Sequence, residues 1–360
     1  MPVIVAADFP PAIGGIQRYM ERVAEGFATL GHSVTVVAPA FPDAHDDRRT
    51  YAVERYASTG RPATLWAMDR AIARAQRRVG DGVVIASSWF PAGLVAVRRR
   101  IGSRGKLAVM AFGSEIVRQD TRPRRLAMRS VFSRADAVIS ISRFTSEELR
   151  VAGVTALPVM AGCGVDPGAF RPNPTRNPTI LSVGRLVRRK GFDRVVNALP
   201  YLRGRFGDVR YEIIGDGPDA AYLAELARRL GVESAVVFHG AADDDVVRAA
   251  YERAWCFALP VRREGHDVEG FGLVYLEAAT ARLPSLGGRG SGADDAIVDG
   301  TTGLLVDGRS DAEVAKALER LLCDGRLRTA LGDAAYERAM REFSWDRVTA
   351  AIADSVGLSR

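Results

Sequence analysis

Short apolar runs rich in Val, Ile and Ala alternate along this chain with longer stretches whose apolar residues recur every three or four positions. The runs at 3–7, 33–38, 82–86, 106–111 and 135–140 read as strands, and 16–30, 66–79, 91–101 and 122–132 as helices between them. Ser142, with Glu147 and Glu148 after it, reads as the cap of a further helix over 144–152. Strands that alternate with helices imply βαβ units and a parallel sheet. The pattern breaks at 162–178, which holds four prolines and three glycines. Neither a helix nor a central strand tolerates that density of breakers, so 166–178 reads as a linker. The alternation then restarts, with strands at 179–183, 209–214, 235–238, 255–258, 285–287 and 303–306. Helices are expected at 191–202, 220–230, 244–253, 272–281, 311–322 and 326–342. The expected fold is α/β, with two Rossmann-like doubly wound domains (1–165 and 179–342) facing a central cleft. An amphipathic helix within 343–360 is expected to pack back toward the first domain.

Composition supports this division without adding a membrane span. At 360 residues the chain exceeds one ordinary core. Its 47% hydrophobic and 26% charged residues are globular values. No apolar run reaches the roughly 18 residues that a span needs. The first run reads as a strand rather than a secretion signal, and a reducing cytoplasm is the expected compartment. Cys163, Cys256 and Cys323 are scattered without metal spacing, and with four histidines no zinc site is expected. The net charge of +7 is uneven. Residues 1–165 carry 23 Lys/Arg against 14 Asp/Glu, and 166–360 carry 27 against 29. Such a basic half suits an anionic partner such as a lipid surface or a phosphate-bearing acceptor, and equally suits plain solubility.

The candidate chemistry gathers in three stretches. Glu269 and Glu277 bracket Gly270, Phe271, Gly272 and Leu273, where paired glycines read as the entry to a helix. The first turn of a helix offers unpaired N–H groups and positive potential, which suits a phosphate. Glu277 stands where a carboxylate can accept from a ribose diol, and Glu269 where it can meet sugar hydroxyls. A buried amphipathic helix after a Gly-rich turn fits the same text. In the second stretch, Gly184-Arg185 and Lys190-Gly191 flank a strand-to-helix loop, where two cations can neutralise a diphosphate without a metal. Arg188 and Arg189 are read as solvated. In the third, Gly14 and Gly15 close the first strand, followed by Gln17. This is not a Gly-x-Gly-x-x-Gly fingerprint, so a dinucleotide cofactor is not expected.

Together these words resemble the retaining glycosyltransferases of family 4, which have the GT-B fold. Gly14-Gly15-Ile-Gln17, Gly164-Val-Asp166, Gly184-Arg185, Lys190-Gly191, Gly215-Asp-Gly-Pro218, Glu269 to Glu277 and Gly303-Leu-Leu-Val carry the resemblance over essentially the whole chain. The stretches 185–191 and 267–277 are similar to those of actinobacterial phosphatidylinositol mannosyltransferases. The resemblance implies an acceptor-side first domain and a second domain that binds a nucleoside-diphosphate sugar, GDP- or UDP-linked. It implies that Arg185 and Lys190 bind the diphosphate and Glu277 the ribose. Glu269 and the amides of Gly270 to Leu273 would hold the sugar and distal phosphate, with Gly14, Gly15, Gly184 and Gly215 framing the donor. Arg185, Lys190 and Glu269 are the expected catalytic groups.

No metal is expected, so Asp46-Asp47 and Asp243 to Asp245 are not read as an Asp-x-Asp site; Asp243 caps a helix instead. Two departures stand out. The family's His-Gly-x-Glu becomes Phe112-Gly113-Ser114-Glu115, with Gln17 and Phe112, Gly113 and Glu115 expected on the sugar or acceptor side. Its Gly-x-Pro-Glu becomes Ala293-Asp294-Asp295 after Gly292. Arg70, Arg74, Arg77 and Arg78 around Ala71, Ile72, Ala75 and Val79 resemble the basic amphipathic helix by which relatives sit on anionic lipid. Arg98 to Arg100, Arg104 and Lys106 would extend that patch. The expected activity is transfer of a hexose, mannose among the candidates, to a hydroxyl of a lipid or small molecule, on the inner membrane face if lipid. A natural-product glycosyltransferase with a deoxygenated or amino sugar donor is the alternative within the enzyme class, and a non-catalytic sugar-nucleotide-binding protein the alternative outside it. No nucleic-acid partner is expected.

Overall fold

The computed structural model describes all residues except 13, 58–59, 81, 100–104, 119–120, 169 and 359–360. Arg100 and Arg104 of the expected basic patch, and the end of the helix expected at 91–101, lie outside the described residues. The chain divides into two compact units, Met1–Gly164 with Trp345–Arg360, and Val165–Ser344.

The first unit is built on a parallel sheet of β1 (Pro2–Val5), β2 (Thr35–Pro39), β3 (Ala52–Tyr56), β4 (Val83–Ala86), β5 (Leu107–Ala111), β6 (Ala137–Ser140) and β7 (Val159–Met160), in the order 3-2-1-4-5-6-7. β1, β2, β4, β5 and β6 are buried along their whole length, which is why they read as unbroken apolar runs. β3 and β7 lie at the edges and were not expected. β3 carries Glu54 and Arg55 and so has no apolar signature; there Glu54 meets Arg74 at 2.6 Å, and Arg55 meets Asp46 at 2.8 Å.

The helix Gly15–Thr29 buries Tyr19, Met20, Val23, Ala24 and Phe27, a single helical face. The helix Trp345–Ser355 packs on it. Trp345 lies edge-on to Tyr19 at 5.4 Å, and Thr349 sits so close to Gly26 that a Cβ there would collide with it. The C-terminal helix thus completes the first unit. The helix Arg61–Val79 turns Met68, Ala71, Ile72 and Ala75 into the core beside Val3 and Val5. Its apolar stripe is therefore occupied within the unit rather than offered to lipid. Its exposed side includes Trp66, 61% exposed with Arg70 stacked on it at 4.6 Å, and Arg77 and Arg78.

The second unit holds β8 (Thr179–Val183), β9 (Arg210–Ile214), β10 (Val236–Gly240), β11 (Cys256–Leu259), β12 (Ser285–Gly288) and β13 (Gly303–Val306), all parallel, in the order 10-9-8-11-12-13. Among its described residues the Pro-rich stretch adds no strand or helix, and from Val165 onward it belongs to this unit. Asn173 N–H donates to Glu252 O at 2.8 Å, and the Trp255 indole to Thr175 O at 2.7 Å. Asp243 caps the helix Asp244–Arg253 by accepting from Val246 N at 2.9 Å, as the sequence predicts. In each sheet the chain reverses its direction of growth beside the first strand, between β1 and β4 and between β8 and β11. Carboxyl ends of strands at such a switch point leave a crevice for ligands.

Candidate functional site

In the second unit the loops after β8 and β11 leave the sheet side by side at the switch point. The first runs through Gly184, Arg185 and one tight turn, Arg188–Lys190, into the helix Phe192–Phe206. The second runs through Arg262, Asp267 and Glu269 to the helix Leu273–Thr280. Eighty residues apart in the chain, their charged side chains meet. Lys190 Nζ lies 2.5 Å from Glu269 Oε2, and Arg189 Nη1 donates to the same oxygen. Arg189 Nε also donates to Asp267 Oδ1 at 2.9 Å.

Arg189 is therefore not solvated, in contrast to the reading from its neighbours in sequence. The tight turn brings it over the opposite loop. A clue lay in the spacing, since Asp267 and Glu269 present two carboxylates on one side of an extended segment. Arg188 is half-exposed, with its guanidinium over the Tyr222 ring at 3.5 Å and within 3.6 Å of Asp219.

The electrostatics of this cluster favour a charged Glu269. Burial alone would raise its pKa, but Lys190 and Arg189 outweigh burial and hold it at about 2. Lys190 is only 8% exposed. Burial pulls its pKa down, the like charges of Arg189 and Arg185 add to that, and Glu269 opposes them. Arg185 is exposed and makes no ion pair among the described residues. The loop thus holds Lys190 and Arg189 largely covered, with one carboxylate seated on both, and Arg185 exposed.

Glycines set the backbone here. Gly272 caps the helix Leu273–Thr280 at φ +88°, and a Cβ there would lie 2.6 Å from the Tyr275 ring. That ring is held in turn by a 2.5 Å hydrogen bond from its hydroxyl to Leu259 O. Gly215, at φ +131°, lets the ends of β8 and β9 close up, since a Cβ would strike Gly184 O. Gly270 N-terminal to the helix faces the next loop, where Gly292 N–H donates to Glu269 O at 2.9 Å. Phe271 is buried edge-on against Phe343 at 5.7 Å, so its side chain serves the core. Glu277, about one turn into the helix that Leu273 starts, accepts from the Tyr251 hydroxyl at 3.1 Å. In the loop that departs from the family pattern, Asp294 Oδ2 accepts from Gly290 N at 2.9 Å, and burial raises its pKa.

The first-unit residues gather at the carboxyl ends of β1 and β5. Gly14 and Gly15 open the helix Gly15–Thr29, and the Gln17 amide folds back over Gly14. Phe112 is buried, its ring edge-on to Tyr19 at 5.2 Å, so that Phe112, Tyr19 and Trp345 form one aromatic stack. Packing within the unit accounts for a phenylalanine at this position. Gly113 follows at φ +129°. Glu115 Oε1 accepts from Phe112 N–H at 2.5 Å; burial raises its pKa against the N–H groups of Phe112, Glu115 and Gly113.

Residues 13–168 match the Glycosyltransferase Family 4 domain, and residues 169–338 match Glycosyl transferases group 1. The chain is 33% identical over 374 aligned positions to the GDP-mannose-dependent alpha-(1-6)-phosphatidylinositol monomannoside mannosyltransferase of Mycobacterium tuberculosis (strain CDC 1551 / Oshkosh), covering 98% of this chain and 97% of that protein. It is 33% identical to the protein of the same description from Mycolicibacterium smegmatis, with the same coverage of both. Among solved structures, sucrose-phosphate synthase from Thermosynechococcus elongatus superposes with a TM-score of 0.85 at 21% identity, over 98% of this chain and 97% of that one. Anabaena Alr3699/HepE, solved in complex with UDP and glucose, superposes with a TM-score of 0.82 at 19% identity, over 99% of both chains. With two Rossmann-like domains of the GT-B type, both family domains matched one after the other along the chain, and relatives 33% identical over nearly its full length, this chain belongs to glycosyltransferase family 4.

Proposed function

We propose that this glycosyltransferase moves mannose from GDP-mannose to a hydroxyl of an inositol phospholipid, with retention of the anomeric configuration and without a metal ion. The observation that carries this reading is the likeness to GDP-mannose-dependent phosphatidylinositol monomannoside mannosyltransferases along nearly the full length of both chains. The switch-point cluster fits the reading chemically. Lys190 and Arg185 neutralise the donor diphosphate and the charge that builds on it as the sugar departs. The first-turn amides of the helix Leu273–Thr280, reached through Gly270 to Gly272, receive the distal phosphate. When the diphosphate takes over as counter-anion to Lys190, Glu269 is released to accept hydrogen bonds from sugar hydroxyls. Glu277 holds the ribose. The acceptor hydroxyl attacks on the face that the diphosphate leaves, and a phosphate oxygen takes its proton. The exposed Trp66, Arg70 and Arg77 give the first unit a small basic and aromatic face for anionic lipid.

A second reading has one observation in its favour. Phe112, at the family's histidine position, brings no hydrogen-bonding side chain, which suits a deoxygenated sugar donor and a small natural-product acceptor. One experiment separates the two. Purified protein is incubated with phosphatidylinositol vesicles and, in parallel, with GDP-mannose, UDP-glucose and a 6-deoxy-sugar nucleotide. Release of nucleoside diphosphate is followed, and the lipid is weighed by mass spectrometry. GDP release with a lipid heavier by one hexose supports the mannosyl reading. Turnover of the deoxy-sugar donor alone overturns it, and nucleotide binding with no release from any donor overturns the enzymatic reading.

A further inference from the structure

Beneath the Lys190–Glu269 contact lies an ion pair that the proposed chemistry does not use. Asp193, in the first turn of the helix Phe192–Phe206, is 4% exposed, and Arg262, in the loop after β11, is 6% exposed. They meet as a two-pronged pair, with Arg262 Nη1 2.8 Å from Asp193 Oδ1 and Nη2 3.1 Å from Oδ2. The third side of the guanidinium is filled by Glu264 Oε1, 2.5 Å from Nε. The backbone repeats the connection, since Arg262 N–H donates to Arg189 O at 2.8 Å. Gly191, at φ +77°, completes it, because a Cβ at that position would strike Pro260 O.

Apart from the Arg262–Glu264 contact, which lies within one loop, these contacts join the loop that carries Arg189 and Lys190, with the helix it enters, to the loop that carries Glu269. Such a buried pair is a poor source of stability, since well-packed apolar side chains of similar volume serve as well or better. What a forked guanidinium–carboxylate pair supplies is fixed geometry. We propose that Asp193 and Arg262 are positioning residues for the donor-binding cations, holding the turn Arg188–Lys190 in register with Glu269. The proposal rests on the reading that Lys190 faces the donor diphosphate. A misplacement of about 1 Å in such a group is enough to cost roughly 10²-fold in rate.

The test uses the full chain with Asp193→Asn, which keeps shape and loses charge, and Arg262→Lys, which keeps charge and loses the fork. Each is made alone and with Lys190→Ala. GDP and UDP binding are measured by calorimetry, and donor and acceptor kinetics with whichever donor the wild type turns over. A wild type that prefers UDP defeats the mannosyl reading but still permits this test. The expected result is a fall of about 10²-fold in kcat/KM for donor, with weaker nucleotide binding, an unchanged acceptor KM and an unfolding transition that stays cooperative, at a lower midpoint in Asp193→Asn because a buried charge loses its partner. In the Lys190→Ala background, Asp193→Asn should then cost little more, because both act through one group. Wild-type donor kinetics in Asp193→Asn and Arg262→Lys overturn the proposal. So does a loss that multiplies independently with that of Lys190→Ala, or a failure of both single variants to fold, which assigns the pair to structure.

Discussion

Glu269→Gln removes the carboxylate on which Lys190 and Arg189 converge while keeping the side chain's shape. The cost follows from the site's electrostatics. Holding this carboxyl at about 2 rather than its ordinary 4.5 corresponds to roughly 3 kcal/mol of preference for the charged form in the folded protein. The sign is that of a depressed carboxyl. The contribution is complete above about pH 4.5, where the unfolded chain is ionised, and is lost as pH falls toward about 2, where the folded site takes up its proton. Near neutral pH the variant should therefore lose about 3 kcal/mol, within the range seen when one partner of a buried pair is removed. For a unit the size of Val165–Ser344, that shifts its heat-unfolding midpoint by roughly 6–12 °C. Thermal unfolding of both proteins at a series of pH values, without nucleotide, reads the effect. The gap between them should be flat from pH 8 to 5 and fall to less than half by about pH 3. Equal midpoints at pH 7, or a gap that does not narrow in acid, would refute the reasoning.

Gly272→Ala forces a side chain into a left-handed position against the Tyr275 ring, and should cost about 1–3 kcal/mol with weakened donor binding; unchanged unfolding and nucleotide affinity count against the cap. Glu277→Ala should weaken nucleotide binding by roughly 10- to 100-fold, the range for a lost hydrogen bond to a charged group, with donor-independent properties intact; calorimetry with GDP decides. Sugar transfer should survive an excess of chelator, and its loss, restored by a divalent cation, would show that the diphosphate is neutralised differently.

Much of the fold was legible because the strands are buried on both faces. β1, β5 and β11 have no polar positions, and the glycines at Gly14, Gly113 and Gly272 stand in the loops that leave them. β3 was not legible, since Glu54 and Arg55 are tolerated only because Arg74 and Asp46 wait beside the sheet edge. The residues of the site were visible as words, but their pairing was not. Nothing near Arg189 in sequence says that it will cross to Asp267 and Glu269, because that contact depends on two loops being neighbours at the switch point. Asp193 and Arg262 were missed for the same reason, each looking like one more surface charge in a highly charged chain. Phe112 was read for what it lacks at a sugar site. The structure adds what it does, which is to pack on Tyr19, and that depends on a helix more than two hundred residues later supplying Trp345.

The central claim is that Lys190, buried and seated on Glu269, stabilises a departing nucleoside diphosphate. It is tested most directly by the rate of nucleoside diphosphate release from saturating donor, wild type beside Lys190→Ala, with folding of both checked. Removing one preorganised charge-stabilising group costs roughly 10²–10³ in turnover, and a fall of that size in kcat is the expected result. Near-normal turnover in a folded Lys190→Ala protein would contradict it.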